Sequence, residues 1–376
     1  ASLDGGRRWH FYLRSGAHWH NGQPITDDDI LTAMRQLLAD PTRNVGLQHI
    51  ASLTRVAPWC LEIELTRADA LLPQRLAHPV CRLPHPRQPE IGAGPFAIAR
   101  HHSHYLRLER QPWYFGHHPL LHAIEFWRTG SMLEKPAWIT VGKGNTTQEA
   151  VTSTSSGFAW LMVNSALPKA LAAALRHQAI SLNQRCFASR SDLQIRSDIL
   201  PGLHVKEPPE PAACPLPARL KLVCYHTPEL RELAEKWRQH LMRHGCQLQI
   251  EWRDRDGWHQ PDVLADADLL LGDYLARENA GFALGEWLIY EPAWQTALGV
   301  ARWQKKKQQL MQMCDSEAHF NAQLTPLFQQ IFDEGTCTPL FHYRYQINAL
   351  ENVQDMVLTA GGWLDFTRAW LPPPAG

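Results

Sequence analysis

The stretch from Leu220 to Trp252 constrains the fold more than any other part of this chain. Leu220–Tyr225 is a short apolar run that reads as a buried strand. Thr227-Pro228-Glu229 then supplies a helix N-cap followed by proline at the first helical position. Leu230, Leu233, Ala234, Trp237 and Leu241 repeat at helical spacing, and Gly245 closes the helix. Leu248–Trp252 is the next strand. A strand, one helix and a second strand form a βαβ unit, whose strands lie parallel and whose crossover is right-handed. Ala267–Leu271 adds another buried strand. The class is therefore α/β.

Before this unit, Trp9–Leu13 has the residues of a strand, and His20-Asn21-Gly22-Gln23-Pro24 makes a turn. Thr26 caps a helix with Asp27, Asp28 and Asp29 in its first turn, where the dipole favours acids. Ile30, Ala33, Met34, Leu37 and Leu38 form its apolar stripe, and Asp40-Pro41 ends it. Strands follow at Ile50–Val56 and Leu61–Leu65, then a short helix at Leu71–Leu76 and a proline-rich linker from Pro84 to Pro89. Further strands run through Ile98, Tyr105–Leu108 and Ala123–Trp127. Residues 131–156 turn small and polar, which suggests a boundary; Pro168–His177 is helical by composition, and Pro208–Pro217 is a second linker. Thr338–Ile347 is strand-like and precedes a tryptophan-rich tail. At 376 residues the chain has room for two or three lobes of about 100–200 residues each.

Charge excludes one function class. With 37 basic against 37 acidic residues, the chain lacks the concentrated basic stripe that a nucleic-acid backbone requires. Lys305-Lys306-Lys307 reads as the solvated face of a helix. No run of about 18 apolar residues occurs, so no membrane span is expected. The eight cysteines form no Cys-x-x-Cys pair; scattered and partly in apolar contexts, they lean towards a reducing compartment. The densest histidine clusters, His101-His102-x-His104 and His117-His118, have neither His-x-x-x-His spacing nor a matching Cys or carboxylate, so no metal is expected. There is no Gly-x-Ser-x-Gly elbow and no Walker loop; Gly142-Lys143-Gly144 lacks the preceding glycine, and Pro95 spoils Gly92-Ala93-Gly94 as a dinucleotide turn. No cofactor and no enzyme are indicated.

Two long segments carry a resemblance. Trp9-His10-Phe11-Tyr12-Leu13-Arg14-Ser15-Gly16-Ala17-His18-Trp19-His20-Asn21-Gly22-Gln23-Pro24 leads into the capped helix, and Ile91-Gly92-Ala93-Gly94-Pro95-Phe96 leads through Pro112-Trp113-Tyr114 and Gly116 to Ile124-Glu125-Phe126. In that order they resemble the family 5 (peptide/nickel-type) bacterial solute-binding proteins, with Leu161-Met162-Val163-Asn164 as a weaker third match. The ending Gly362-Trp363-Leu364-Asp365-Phe366-Thr367-Arg368-Ala369-Trp370 and the segment Thr338-Pro339-Leu340-Phe341-His342-Tyr343 are similar to the C-terminal solute-binding domain of SgrR-type transcriptional regulators.

The resemblance implies an α/β, two-lobed, periplasmic-binding-protein-like fold (type II) with mixed sheets and a hinge cleft, the N-terminal part of lobe I being missing. It divides the chain into 1–90, a small subdomain following lobe I; 91–150, the first part of lobe I; 151–337, lobe II; and 338–376, the lobe I return segment. It implies an effector-sensing domain that binds a small molecule such as a sugar phosphate between the lobes. DNA would be reached only through an N-terminal winged-helix domain absent from this chain, the location would be cytoplasmic, and no membrane partner is expected. The alternative is a periplasmic peptide-binding protein of an ABC importer.

Ligands in open α/β sheets sit at the carboxyl ends of strands. That points to the residues after Leu269–Leu271, with Asp273, Tyr274 and Arg277 as ligand-binding candidates and Arg277 suited to clamp a phosphate or carboxylate. The alternative is that Arg277 and Glu278 only solvate a loop. Peptide binders of the family grip the peptide amine with an acid here, and neither Asp273 nor Glu278 aligns cleanly with it. Tyr343 and Arg344 are candidates on the returning hinge strand, whereas Trp9, Trp19, Trp113, Trp363 and Trp370 read as packing residues.

Overall fold

The structure, a computed structural model, describes residues 1–40, 43–44, 46–127, 139–142, 155–190, 193–195, 198–200, 203–205, 210–211, 214–259, 263–275, 280–314, 316–344, 346–349, 353–358 and 364–372. The predicted βαβ unit is present. Arg219–Tyr225 and Gln247–Arg253 run parallel, Leu220 opposite Leu248, joined by the helix Pro228–Arg243. The Thr227 side chain accepts the Leu230 N–H at 3.4 Å, and Gly245 takes φ +79° to end the helix.

This unit forms one side of a six-stranded mixed sheet in the order Leu193–Gln194, Cys337–Arg344, Ser155–Val163, Leu269–Leu275, Arg219–Tyr225, Gln247–Arg253. Leu269–Leu275 is parallel to Arg219–Tyr225, and Ser155–Val163 is antiparallel to both of its neighbours. Side chains alternate across the pleat, so each strand feeds two cores. One face (Leu161, Leu222, Leu271) packs on the helices Lys169–Phe187 and Pro228–Arg243 through Leu175, Leu233 and Trp237. The other (Phe158, Trp160, Leu270, Tyr274) packs on the helices Ala280–Tyr290, Ala293–Leu298, Val300–Gln312 and Glu317–Asp333. A sheet buried on both faces explains why its strands read as continuous apolar runs.

The first 90 residues form a smaller unit. Ser2–Leu3, Arg8–Tyr12, Cys60–Leu65 and Ile50–Ala57 make an antiparallel sheet under the helix Asp27–Ala39. Thr26 and Asp29 close a capping box, the Asp29 N–H reaching Thr26 Oγ1 at 3.1 Å and the Thr26 N–H reaching Asp29 Oδ2 at 2.9 Å. A three-stranded meander follows at Phe96–His102, Tyr105–Arg110 and Ala123–Trp127. Gln346–Ala349 pairs with Ile139–Gly142, so the chain runs from the large sheet directly into this short ladder.

The N-terminal unit docks on the helical layer through buried charge. Asp69 accepts from Arg75 Nε at 2.8 Å and lies 2.9 Å from His49 Nε2. The same Arg75 guanidinium reaches Cys314 Sγ at 3.0 Å, and the Ala70 N–H donates to the Cys314 carbonyl at 2.7 Å.

Three expectations need correction. The helix predicted over Pro168–His177 runs on to Phe187, because Ala179, Leu182 and Phe187 continue the buried face. Lys306 is buried rather than solvated, and Lys307 lies 3.5 Å over the Trp303 ring; long lysine stems cover apolar surface. Trp113 is 53% exposed and caps the turn at Gly22, where an added Cβ would come 3.2 Å from its Nε1.

Candidate functional site

Arg219–Tyr225, Gln247–Arg253, Leu269–Leu275 and Cys337–Arg344 all point the same way, so their carboxyl ends share one edge of the large sheet. Ser155–Val163 starts at that edge: Gly157 lies opposite Leu275, and Ser155 opposite Arg344. Arg219–Tyr225 exits into a helix on one face of the sheet, while the chain after Leu269–Leu275 enters Ala280–Tyr290 on the other. Connections that part to opposite faces between adjacent strands open a crevice at the strand ends, where ligands of such sheets lie.

Asp273, Tyr274, Tyr343 and Arg344 lie near this edge, with different surroundings. The sequence reading placed Asp273 and Tyr274 in a loop after a strand ending at Leu271. The strand instead continues to Leu275, with Asp273 opposite Ala159 and Tyr274 opposite Phe158. Gly272, in that strand, makes room for a ring: an added Cβ would stand 2.5 Å from Trp160 Cζ2.

Asp273 is half-buried and stands near Cys224, whose thiol is pushed up by burial first and by this carboxylate second. Tyr274 points to the opposite face, 5.1 Å from both Phe158 and Trp287 by ring centroids, at 7% exposure. Tyr343 is 1% exposed and edge-on to Phe341 at 5.3 Å. Arg344 ends its strand at the crevice edge, and only its backbone placement is described. Arg277 and Glu278 fall outside the described residues.

Sequence reasoning passed over a group at the same edge. An opening of about 450 Å³ is lined by His226, Pro228, Arg231, Glu232 and Glu235. Trp252 forms its aromatic neighbour, 6.1 Å from the His226 ring and 5.9 Å from the Arg231 guanidinium carbon. The signal was present, since these residues follow the first strand of the βαβ unit and open its helix. Beneath the sheet, the half-buried Glu291 carboxyl accepts Trp258 Nε1–H at 2.8 Å and the Ala293 N–H at 3.1 Å. Burial pushes its pKa up against those hydrogen bonds. The edge thus offers cationic, anionic and aromatic groups suited to holding a polar solute without covalent chemistry. Among the described residues, no group of three or more His, Cys, Asp or Glu is placed to hold a metal ion.

The segments that carried the family resemblance have a structural job. The His20 N–H donates to the Gly92 carbonyl at 2.9 Å, His20 Nε2 lies 3.1 Å from the Gly94 carbonyl, and Gln111 Nε2 donates to the Trp19 carbonyl at 3.2 Å. They clamp the turn after the first long strand to the start of the meander.

Comparison with known proteins agrees with this architecture. The profile of the bacterial extracellular solute-binding proteins, family 5 (middle section), matches residues 2–131. YbaE of Escherichia coli K12 is 34% identical, the match covering 98% of this chain and 68% of that protein. The chain belongs to the family 5 bacterial solute-binding proteins. The HTH-type transcriptional regulator SgrR of Escherichia coli K12 is 25% identical to this family 5 chain, over 97% of the chain and 67% of the regulator. Among solved structures, NikA from Brucella suis in complex with Fe(III)-EDTA superposes with TM-score 0.74 at 15% identity, covering 99% of this chain and 90% of that one. DppA from Helicobacter pylori, in complex with the peptide STSA, gives TM-score 0.74 at 14% identity, covering 99% and 88%. These likenesses establish a two-lobed family 5 fold. The matched family is one of solute-binding proteins, and no helix among the described residues is long and apolar enough to cross a membrane.

Proposed function

We propose that this family 5 chain is the effector-sensing part of a transcriptional regulator, that it is not an enzyme, and that it binds a small anionic solute of the sugar-phosphate class at the carboxyl edge of its large sheet. The observation that carries the reading is the register that brings Arg344, Gly157, Leu275 and Asp273 to one edge beside the parting of the connections. Arg277 and Arg344 are the anion-binding candidates, because a guanidinium fork matches phosphate geometry. Asp273 is assigned to the hydroxyls of the solute. Tyr274 and Tyr343, packed in the two cores, position the strands that present them.

The regulator role rests on similarity to SgrR along 97% of the chain. The cytoplasmic location rests on eight free cysteines, six of them buried as thiols. DNA contact belongs, on this reading, to a winged-helix domain outside this sequence. Domain limits at 90, 150 and 337 are proposed with it, the ligand lying between lobes that close on it.

A thermal-shift screen with glucose 6-phosphate, free glucose, dipeptides and nickel chloride tests the reading. Saturable stabilisation by the sugar phosphate, lost in Arg344→Ala and Arg277→Ala, is the expected result, since a ligand that binds only the native state raises its stability. Stabilisation by dipeptides alone would replace the regulator reading with that of a peptide-binding protein serving an importer.

A further inference from the structure

The helix Pro228–Arg243 leaves the crevice edge at Thr227 and ends at the opposite edge of the sheet, beside the start of Gln247–Arg253. His240 sits in its last turn and His244 is its C-cap residue. Residues four apart on a helix lie on one face, and the two imidazole rings stand 4.6 Å apart by centroids. His244 Nδ1 lies 2.9 Å from the His240 carbonyl oxygen. A carbonyl only accepts, so Nδ1 carries the proton and the lone pair of Nε2 remains for a ligand bond. A backbone contact of this kind is how metal-binding imidazoles are oriented.

We propose that His240 and His244 form a bidentate surface site for an imidazole-preferring divalent transition-metal ion, binding copper(II) more tightly than nickel(II) or zinc(II). Two neutral imidazoles favour these ions, and their affinities follow that order for a shared nitrogen site. Hard cations are excluded: magnesium and calcium need oxygen ligands, and Arg185 and Arg243 stand close enough to His240 to repel any ion held by charge alone. No third protein ligand is at hand among the described residues, so water completes the coordination. The ion would tie the last helical turn to its cap, at the far edge of the sheet from the solute crevice, and the site stands or falls independently of the proposed function.

The test is calorimetric titration of the whole chain with copper(II) chloride, with the nitrogen coordination read by electron paramagnetic resonance at one equivalent. Expected are two coordinating nitrogens on the first copper, and a drop in its affinity on the order of a hundredfold in His244→Ala, because a chelate owes its strength to the effective concentration of the second ligand. His240→Gln should lose as much, and the double variant no more than either single one. His244 is exposed and its loss leaves the core intact; circular dichroism checks the half-buried His240. The triple variant H101A/H102A/H104A, which removes the histidine-rich hairpin, should keep the site unchanged. Wild-type affinity in His244→Ala, or loss of the first copper in the hairpin variant, overturns the proposal.

Discussion

Replacing Asp69 with alanine removes the centre of the charge cluster that joins the N-terminal unit to the helical layer. Its carboxylate accepts from Arg75 Nε at 2.8 Å and the Leu71 N–H at 2.9 Å, and faces His49 Nε2 at 2.9 Å. Asp69 is 0% and Arg75 1% exposed, so no water replaces the lost partner. Breaking a buried pair from one side costs about 3–5 kcal/mol, because the remaining charge stays desolvated. With an m-value of about 3 kcal/mol/M, the urea midpoint falls by about 1 M or more. Asp69→Leu combined with Arg75→Met removes both charges while keeping volume, and should recover about 1 kcal/mol or more relative to the sum of the single changes. Equilibrium urea unfolding, followed by tryptophan fluorescence, measures all three.

The pH dependence follows from the same geometry. Burial pushes the Asp69 carboxyl up, but the adjacent His49 ring and the Arg75 guanidinium outweigh it and hold the pKa below the usual carboxylate range. A depressed folded-state pKa contributes stability above the unfolded value of about 3.9 and loses it as pH falls through the folded value. The acid limb of the stability curve should therefore flatten in Asp69→Ala. A cost for Asp69→Ala below about 1 kcal/mol, or simple additivity in the double variant, would refute the reasoning.

Gly157→Ala forces a Cβ to 1.8 Å from the Tyr274 carbonyl oxygen; it should cost about 3 kcal/mol by thermal unfolding and weaken solute binding at the crevice edge. Thr26→Ala removes the capping box at the exposed end of its helix and should cost about 1 kcal/mol in the same assay. Trp258→Phe deprives the half-buried Glu291 carboxyl of a donor at 2.8 Å, a loss of about 1 kcal/mol measurable by urea titration. In the native chain, Ellman's reagent should modify the half-buried Cys186 and Cys214 first, and the six buried thiols only after unfolding. Cys81 illustrates the reason: burial pushes its thiol up to about 11.

Local signals carried much of the fold. Thr26 and Thr227 announced their helices because a cap is a contact between residues three apart. The apolar runs at Leu220–Tyr225 and Leu269–Leu271 announced buried strands because burial on both faces removes alternation. The family was legible for a related reason: the turns and glycines around Trp19 and Gly92 are spent on contacts the fold cannot do without.

The site was less legible, because its members meet through strand register. The sequence alone determined an α/β protein with a βαβ unit, a capped N-terminal helix and a family 5 signature. Only the tertiary structure decided that Ser155–Val163 and Cys337–Arg344 enter the same sheet, bringing Gly157 and Arg344 beside Leu275. It alone turned Gly272 from an apparent loop into the space under Trp160, and set Tyr274 against Phe158. Pairing across more than a hundred residues leaves no mark on local periodicity, since each strand shows only which residues are apolar and not which strand lies beside it.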